Sequence, residues 1–209
     1  MRQFFFTALL AGLIVAPAGL SAQEVYKEAN ASALGGYRVI LDLTVKAGMP
    51  AGAVTGTKKY TDISTASNST WLINPTDNST WLINSENGSI NATMYEKLEI
   101  APGDLNNDAT FGAGTAMDWA NAYNRCKNST YDGGGWRLPT QRELMMMWIF
   151  RLALNGAFNE IGGLVFVSNY YWSATENYTH HAWCVHFDVG GTYTNGKTRN
   201  NQVRCVREL

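Results

Sequence analysis

The residues best suited to chemistry lie near the C-terminus, where Lys197, Arg199, Arg204 and Arg207 follow a cluster of rings, Tyr170, Tyr171, Trp172, Tyr178, His180 and His181. Guanidinium groups beside aromatic faces suit acidic or sulfated glycans, and they suit protein partners equally well. The candidate ligand-binding set is therefore Trp172, Tyr178, His180, Lys197, Arg199 and Asn200. The plainer alternative is a solvated sheet edge backed by ordinary core aromatics.

Other constellations are weaker. The phrase DLNND at Asp104 to Asp108 has the oxygen spacing that opens a calcium loop, but Ala109 stands where the sharp turn needs Gly and Thr115 where a bidentate Glu belongs. His180, His181, Cys184 and His186 lie close together, yet only Cys184 and His186 share a strand face by parity. No Gly-X-Ser-X-Gly elbow, phosphate-binding loop or zinc-protease helix is present. The sequence thus assigns no catalytic residue, no metal and no cofactor, and the expectation is a protein that is not an enzyme.

Two helices must carry these residues. In TAMDWANAYNRCK, Thr115 is the expected N-cap, and Trp119, Ala122, Tyr123 and Cys126 recur at helical spacing, so this face is buried. In WRLPTQRELMMMWIFRLAL, Thr140 and Glu143 form a capping box, and Pro139 can pack on Leu144. The run after Glu143 is apolar nearly all round, which predicts a helix enclosed on several sides and ended by Asn155 and Gly156. Strands come next: YYWSATE, AWCVHFDVGG, TYTNGK and QVRCVREL. Trp183, Val185 and Phe187 should face the core while Cys184, His186 and Asp188 form a mixed face, with turns at Gly190-Gly191 and Asn195-Gly196. Two helices beside a short antiparallel sheet make an α+β domain over residues 95–209.

Before it, residues 23–94 read as a small all-β domain, with YRVILDLTV as a strand and NSTWLIN repeated at Asn68 and Asn78 as a hairpin. Its Trp71 and Trp81 are either core or an exposed platform for sugar rings. Residues 1–22 combine Arg2, an apolar run and small residues at Ala18 and Ala22, the pattern of a secretory signal peptide. The run is too short for a span, so the mature chain is expected to carry no membrane span and to be extracellular, at the cell surface or periplasmic.

Lys and Arg number 16 against 17 Asp and Glu, and no basic stripe could track a nucleic-acid backbone. Nucleic acid is excluded as a partner on that ground. A composition of 45% hydrophobic and 12% aromatic residues supports a packed core rather than disorder. Asn-X-Ser/Thr triplets recur from Asn30 to Asn177; in a bacterial chain they mark turn-rich β structure, and in a eukaryotic one glycan acceptors. Export permits a disulfide among Cys126, Cys184 and Cys205, leaving one thiol over.

Taken in order, a helix holding Cys126, then GGGWRLPTQREL, YYWSATE, AWCVHFD with its glycine turn, and a terminal VRCVRE resemble the C-terminal domain family of bacterial collagen-like adhesins. That family is a branch of the C-type-lectin-like fold. The resemblance implies a lectin-like domain from about Ile100 to Leu209 and a Cys126–Cys205 disulfide, with a Cys184–Cys205 pair as the competing arrangement. It also implies an exported surface protein, adhesin-like, that binds a glycan or a host protein; the alternative is an assembly subunit of a surface appendage such as a fimbria, docking on neighbouring subunits. The Glu-Pro-Asn and Trp-Asn-Asp phrases of calcium-dependent lectins are missing.

Overall fold

The structure is a computed structural model that describes residues 24–43, 66–69 and 97–209. The expected signal peptide, the repeat tryptophans Trp71 and Trp81, and most of the expected all-β domain lie outside the described residues. What is described is a mixed α+β arrangement of three helices and short antiparallel sheets.

Strands β1 (Glu24–Ala29) and β2 (Tyr37–Asp42) form a hairpin, with Glu24 opposite Asp42. At its turn Gly35 adopts φ 63°, and a Cβ there would meet the Ile161 carbonyl oxygen at 2.5 Å. Only glycine allows that approach. β2 pairs with β3 (Lys97–Ile100), which pairs with β9 (Val206–Glu208), giving one sheet in the order β1-β2-β3-β9. The sheet therefore crosses residue 94, where composition suggested a domain boundary. Two short strands, β4 (Asp104–Leu105) and β5 (Phe111–Gly112), make a separate hairpin out of the DLNND region.

Helix α1 (Trp119–Asn128) starts one turn later than Thr115 would have it: Asp118 is the N-cap and accepts from the Asn121 amide at 2.8 Å. Met117 exchanges backbone hydrogen bonds with Asn201 at 3.0 and 3.1 Å, which holds it extended and delays the helix. The expected buried face, Trp119, Ala122, Tyr123 and Cys126, is the one observed. The capping box is also present at α2 (Gln141–Ile149), where Thr140 Oγ1 accepts from the Glu143 amide and Glu143 accepts from the Thr140 amide at 2.7 Å.

The single enclosed helix ending at Asn155 is not what forms. The chain breaks at Phe150 and resumes as α3 (Arg151–Ile161), which ends at Gly162 in the left-handed region. Asn155 is mid-helix because its side chain is used elsewhere, accepting from the Phe166 amide at 3.0 Å. Nor is the apolar run covered all round: at the break Leu152 is 76% exposed, while Leu144, Met147, Leu154 and Phe158 are buried.

The contacts of the WRLPT phrase account for its residues. Arg137 grips both carboxylate oxygens of Glu143 at 2.8 Å and reaches Glu208 at 2.9 Å, so it joins the α2 cap to β9. The Pro139 carbonyl accepts from the Ala174 amide at 2.8 Å. The glycine-rich approach thus delivers a helix start between two sheets.

The second sheet is a meander, β6 (Tyr170–Tyr178), β7 (His181–His186) and β8 (Thr192–Gly196). Gly190 makes the β7–β8 turn at φ 74°. Asn195 and Gly196 are not a turn; they pair with Ala182 and His181, and the chain turns after them. The mixed face assigned to Cys184 is also corrected. Ala182, Cys184 and Trp172 belong to one core with Trp119 and Cys126, while Val185, Phe187 and Tyr171 belong to another with Leu144 and Phe158. Trp183 is only half-buried. A sheet packed on both faces cannot keep the apolar-polar alternation expected of a half-exposed one.

Cys126 and Cys205 form the disulfide, with Cα atoms 5.7 Å apart, tying α1 to the segment before β9. Cys184 remains a thiol; burial pushes it up to about 12, which makes it a packing residue rather than a nucleophile.

Candidate ligand cleft

Three of the four C-terminal cations turn inward. Lys197 is 1% exposed, forms an ion pair with Glu176, and sits 4.2 Å from the centre of the Trp119 ring. Burial pulls its ammonium down while Glu176 holds the proton in place. Arg204 is buried against Asp104 at 2.7 Å, donates to the carbonyls of Ala101 and Leu164 at 3.0 Å, and covers the Phe166 ring at 4.4 Å. Burial pushes the Asp104 carboxyl up, against the opposing pull of Arg204 and of the Tyr171 hydroxyl. Arg207 bridges Glu99, at 2.6 Å, and Asp132.

Trp172 is buried as well, donating from Nε1 to the Met117 carbonyl at 2.9 Å. Trp172 and Lys197 thus leave the candidate set with a structural role: neither presents surface to a ligand. Tyr178 and His180 are exposed where β6 turns into β7, and Tyr178 stacks on His181 with centroids 4.4 Å apart. Neither lines the cleft formed by the remaining two candidates.

Arg199 and Asn200 do come together. They line a cleft of about 330 Å³ with Asn169, Tyr170, Asn195 and Asn201. Tyr170 opens β6, Asn195 is near the end of β8, and Arg199 to Asn201 form the segment leaving that strand. Backbone contacts fix this segment along its length. The Lys197 amide donates to His180 O at 2.8 Å, Asn201 is bridged to Met117, and the Gln202 amide donates to Tyr170 O at 2.8 Å. The buried Lys197 side chain anchors the same turn from inside.

The lining is rich in amides. Asn195 Nδ2 donates to Asn201 Oδ1 at 3.3 Å, and Asn201, only 4% exposed, keeps a buried Nδ2 with no hydrogen-bond partner among the described residues. The Tyr170 ring is held edge-on by His186, 4.5 Å between centroids, and by Tyr193 at 5.4 Å. Arg199 has no ion-pair partner among the described residues. Such a surface offers many neutral donors and acceptors, one cation and one ring.

Asn195 escaped the sequence reading because Asn195-Gly196 has the chemistry of a hairpin turn, and Asn169 because nothing local marks it; the signal that would have found them is the density of asparagine on both sides of the meander. The DLNND stretch places Asp104 on Arg204, and Asp108 accepts from the Thr110 hydroxyl at 2.6 Å within its own loop. No group of three or more His, Cys, Asp and Glu side chains is gathered as a metal would need among the described residues. Nor is any helix there long and apolar enough to cross a membrane.

The family profile of the Lcl C-terminal domain matches residues 76–207 of the 209. The chain belongs to the Lcl C-terminal domain family. In this Lcl domain the match covers the Cys126–Cys205 disulfide, the whole β6-β7-β8 meander and every residue lining the cleft. The Lcl domain family is associated with surface proteins. Among curated proteins none matches the chain.

Proposed function

We propose that this Lcl domain protein is an exported, non-enzymatic binding protein of the cell surface that recognises a glycan through the Asn169–Asn201 cleft, in the manner of an adhesin. The observation that carries the reading is the cleft itself: amides from four asparagines, the Tyr170 ring and the Arg199 guanidinium converge on one concavity. Sugars are recognised by that combination, since hydroxyl groups both donate and accept and the ring carbons present an apolar face. The test is a glycan array probed with the wild-type chain and with Arg199→Ala. Reproducible binding that the substitution removes supports the reading, and silence of the wild type on every glycan refutes it.

A second reading, an assembly subunit of a surface appendage, is favoured by the exposed Ile149 and Leu152 where α2 gives way to α3. Exposed apolar side chains close together suit docking. Concentration-dependent oligomers lost on Leu152→Asp would favour that role.

A further inference from the structure

We infer that the cleft takes a sugar ring bearing a single carboxylate, and does so without a metal ion; the inference rests on the glycan-binding reading above and narrows it. Charge decides the anion. Polyanions owe their affinity to several cations acting together, each displacing a counterion. Here Lys197, Arg204 and Arg207 are committed inside the protein to Glu176, to Asp104, and to Glu99 with Asp132. Arg199 alone of the four lines the cleft. One guanidinium fork matches one carboxylate through two parallel hydrogen bonds.

The rest of the lining suits a sugar ring. Asn169, Asn195, Asn200 and Asn201 each carry two donors and an acceptor, a supply that matches the hydroxyls of one ring. Asn201 stands behind the others: its Nδ2 is buried away from the opening, and its Oδ1 accepts from Asn195 at 3.3 Å, which holds that amide in the wall of the cleft. Tyr170, braced by His186 and Tyr193, supplies the flat face for the ring carbons. The volume of about 330 Å³ accommodates a monosaccharide unit, being near the lower end of the ~300–1,000 Å³ typical of ligand sites.

Calcium finds no carboxylate here. A hard cation shared between protein and sugar is held tightly through carboxylate oxygens, and all six lining residues lack one, while the Arg199 guanidinium repels a cation. Direct hydrogen bonds must therefore carry recognition.

The experiment is calorimetric titration of the full chain in excess chelator with three probes: a glucuronate-terminated oligosaccharide, its glucose-terminated counterpart, and a polysulfated polysaccharide. The expected result is that the glucuronate probe binds at least about tenfold tighter than the glucose probe, that Arg199→Ala abolishes the difference, and that Arg199→Lys restores it in part. Affinity should weaken only modestly with added salt, as screening of one ion pair does, and without the steep power-law fall of polyanion binding. Equal binding of the glucose probe, binding only in added calcium, or preference for the polysulfate with that steep fall overturns this inference and leaves glycan recognition standing. Silence of all three probes overturns it, and silence of the whole array overturns the broader reading too.

Discussion

Replacing Lys197 by Met is the sharpest test of where the positive charge of this domain goes. The substitution keeps an unbranched side chain of similar reach but removes the ammonium that meets Glu176, in a pair whose side chains are both 0% exposed. It also removes the cation over the Trp119 ring. Breaking a buried pair from one side costs about 3–5 kcal/mol, because a desolvated charge loses its partner. The cation–π contact is lost besides, worth ~2 kcal/mol or more when desolvated. The double substitution Lys197→Met with Glu176→Leu removes both charges and should regain most of the loss, since exchanging a whole buried pair for apolar packing is close to neutral. Urea denaturation followed by tryptophan fluorescence measures all three variants in a double-mutant cycle. Were Lys197→Met to lose under about 1 kcal/mol while its glycan binding disappeared, Lys197 would be a ligand-facing surface cation. Its burial, and the single-charge inference built on it, would then be refuted.

Arg204→Met should destabilise the chain most at neutral pH and recover on acidification. Burial already raises the Asp104 carboxyl, and losing Arg204 raises it further. A carboxyl whose folded value exceeds its unfolded one contributes stability that is present below the unfolded value and lost as pH rises through the folded one, so the deficit is smaller at about pH 4.5 than at about pH 8 by urea titration. Joint replacement of Cys126 and Cys205 by Ala opens a loop with a sequence separation of 79, which costs about 4 kcal/mol on the chain-entropy account and is read as a lowered urea midpoint. Gly190→Ala puts a Cβ at φ 74°, 2.3 Å from the Trp148 ring. A loss of about 2 kcal/mol or more is expected, with an altered near-ultraviolet circular dichroism signal from the displaced indole.

What the sequence disclosed about this fold was what neighbours in the chain decide. Thr140 and Glu143 are three residues apart and their capping box could be read directly; so could the Trp119, Ala122, Tyr123 and Cys126 face, and the turn at Gly190. Thr115 misled because the competing claim on Met117 comes from Asn201, far along the chain. The sheet linking β2, β3 and β9 was equally invisible, since its register is set by pairings that no local pattern encodes. For the site, the residue types were legible and their allegiance was not. Arg204 finds Asp104 across a separation of 100, and Arg207 finds Glu99 across 108. A run of cations near a C-terminus looks like a basic surface until the acidic partners are folded onto it. Arg199 stayed in the site, with Asn200 beside it, because no acid among the described residues reaches it.

The inward cations brace the ground on which the cleft stands: Lys197 pins the turn before Arg199, and Arg204 pins the residues between the disulfide and the bridge at Asn201. With the Asn201 backbone paired to Met117 and that of Gln202 to Tyr170, the segment bearing the amides is ordered before any ligand arrives. Binding then spends little free energy on arranging the loop. A cleft with one charge and neutral amides can therefore discriminate by geometry: the carboxylate must reach Arg199 while ring hydroxyls reach the amides of Asn169, Asn195 and Asn200. A ligand that satisfies only the charge leaves those amides to water, and one that satisfies only the amides leaves Arg199 in water. Selectivity arises from requiring both at once on a frame too stiff to compromise.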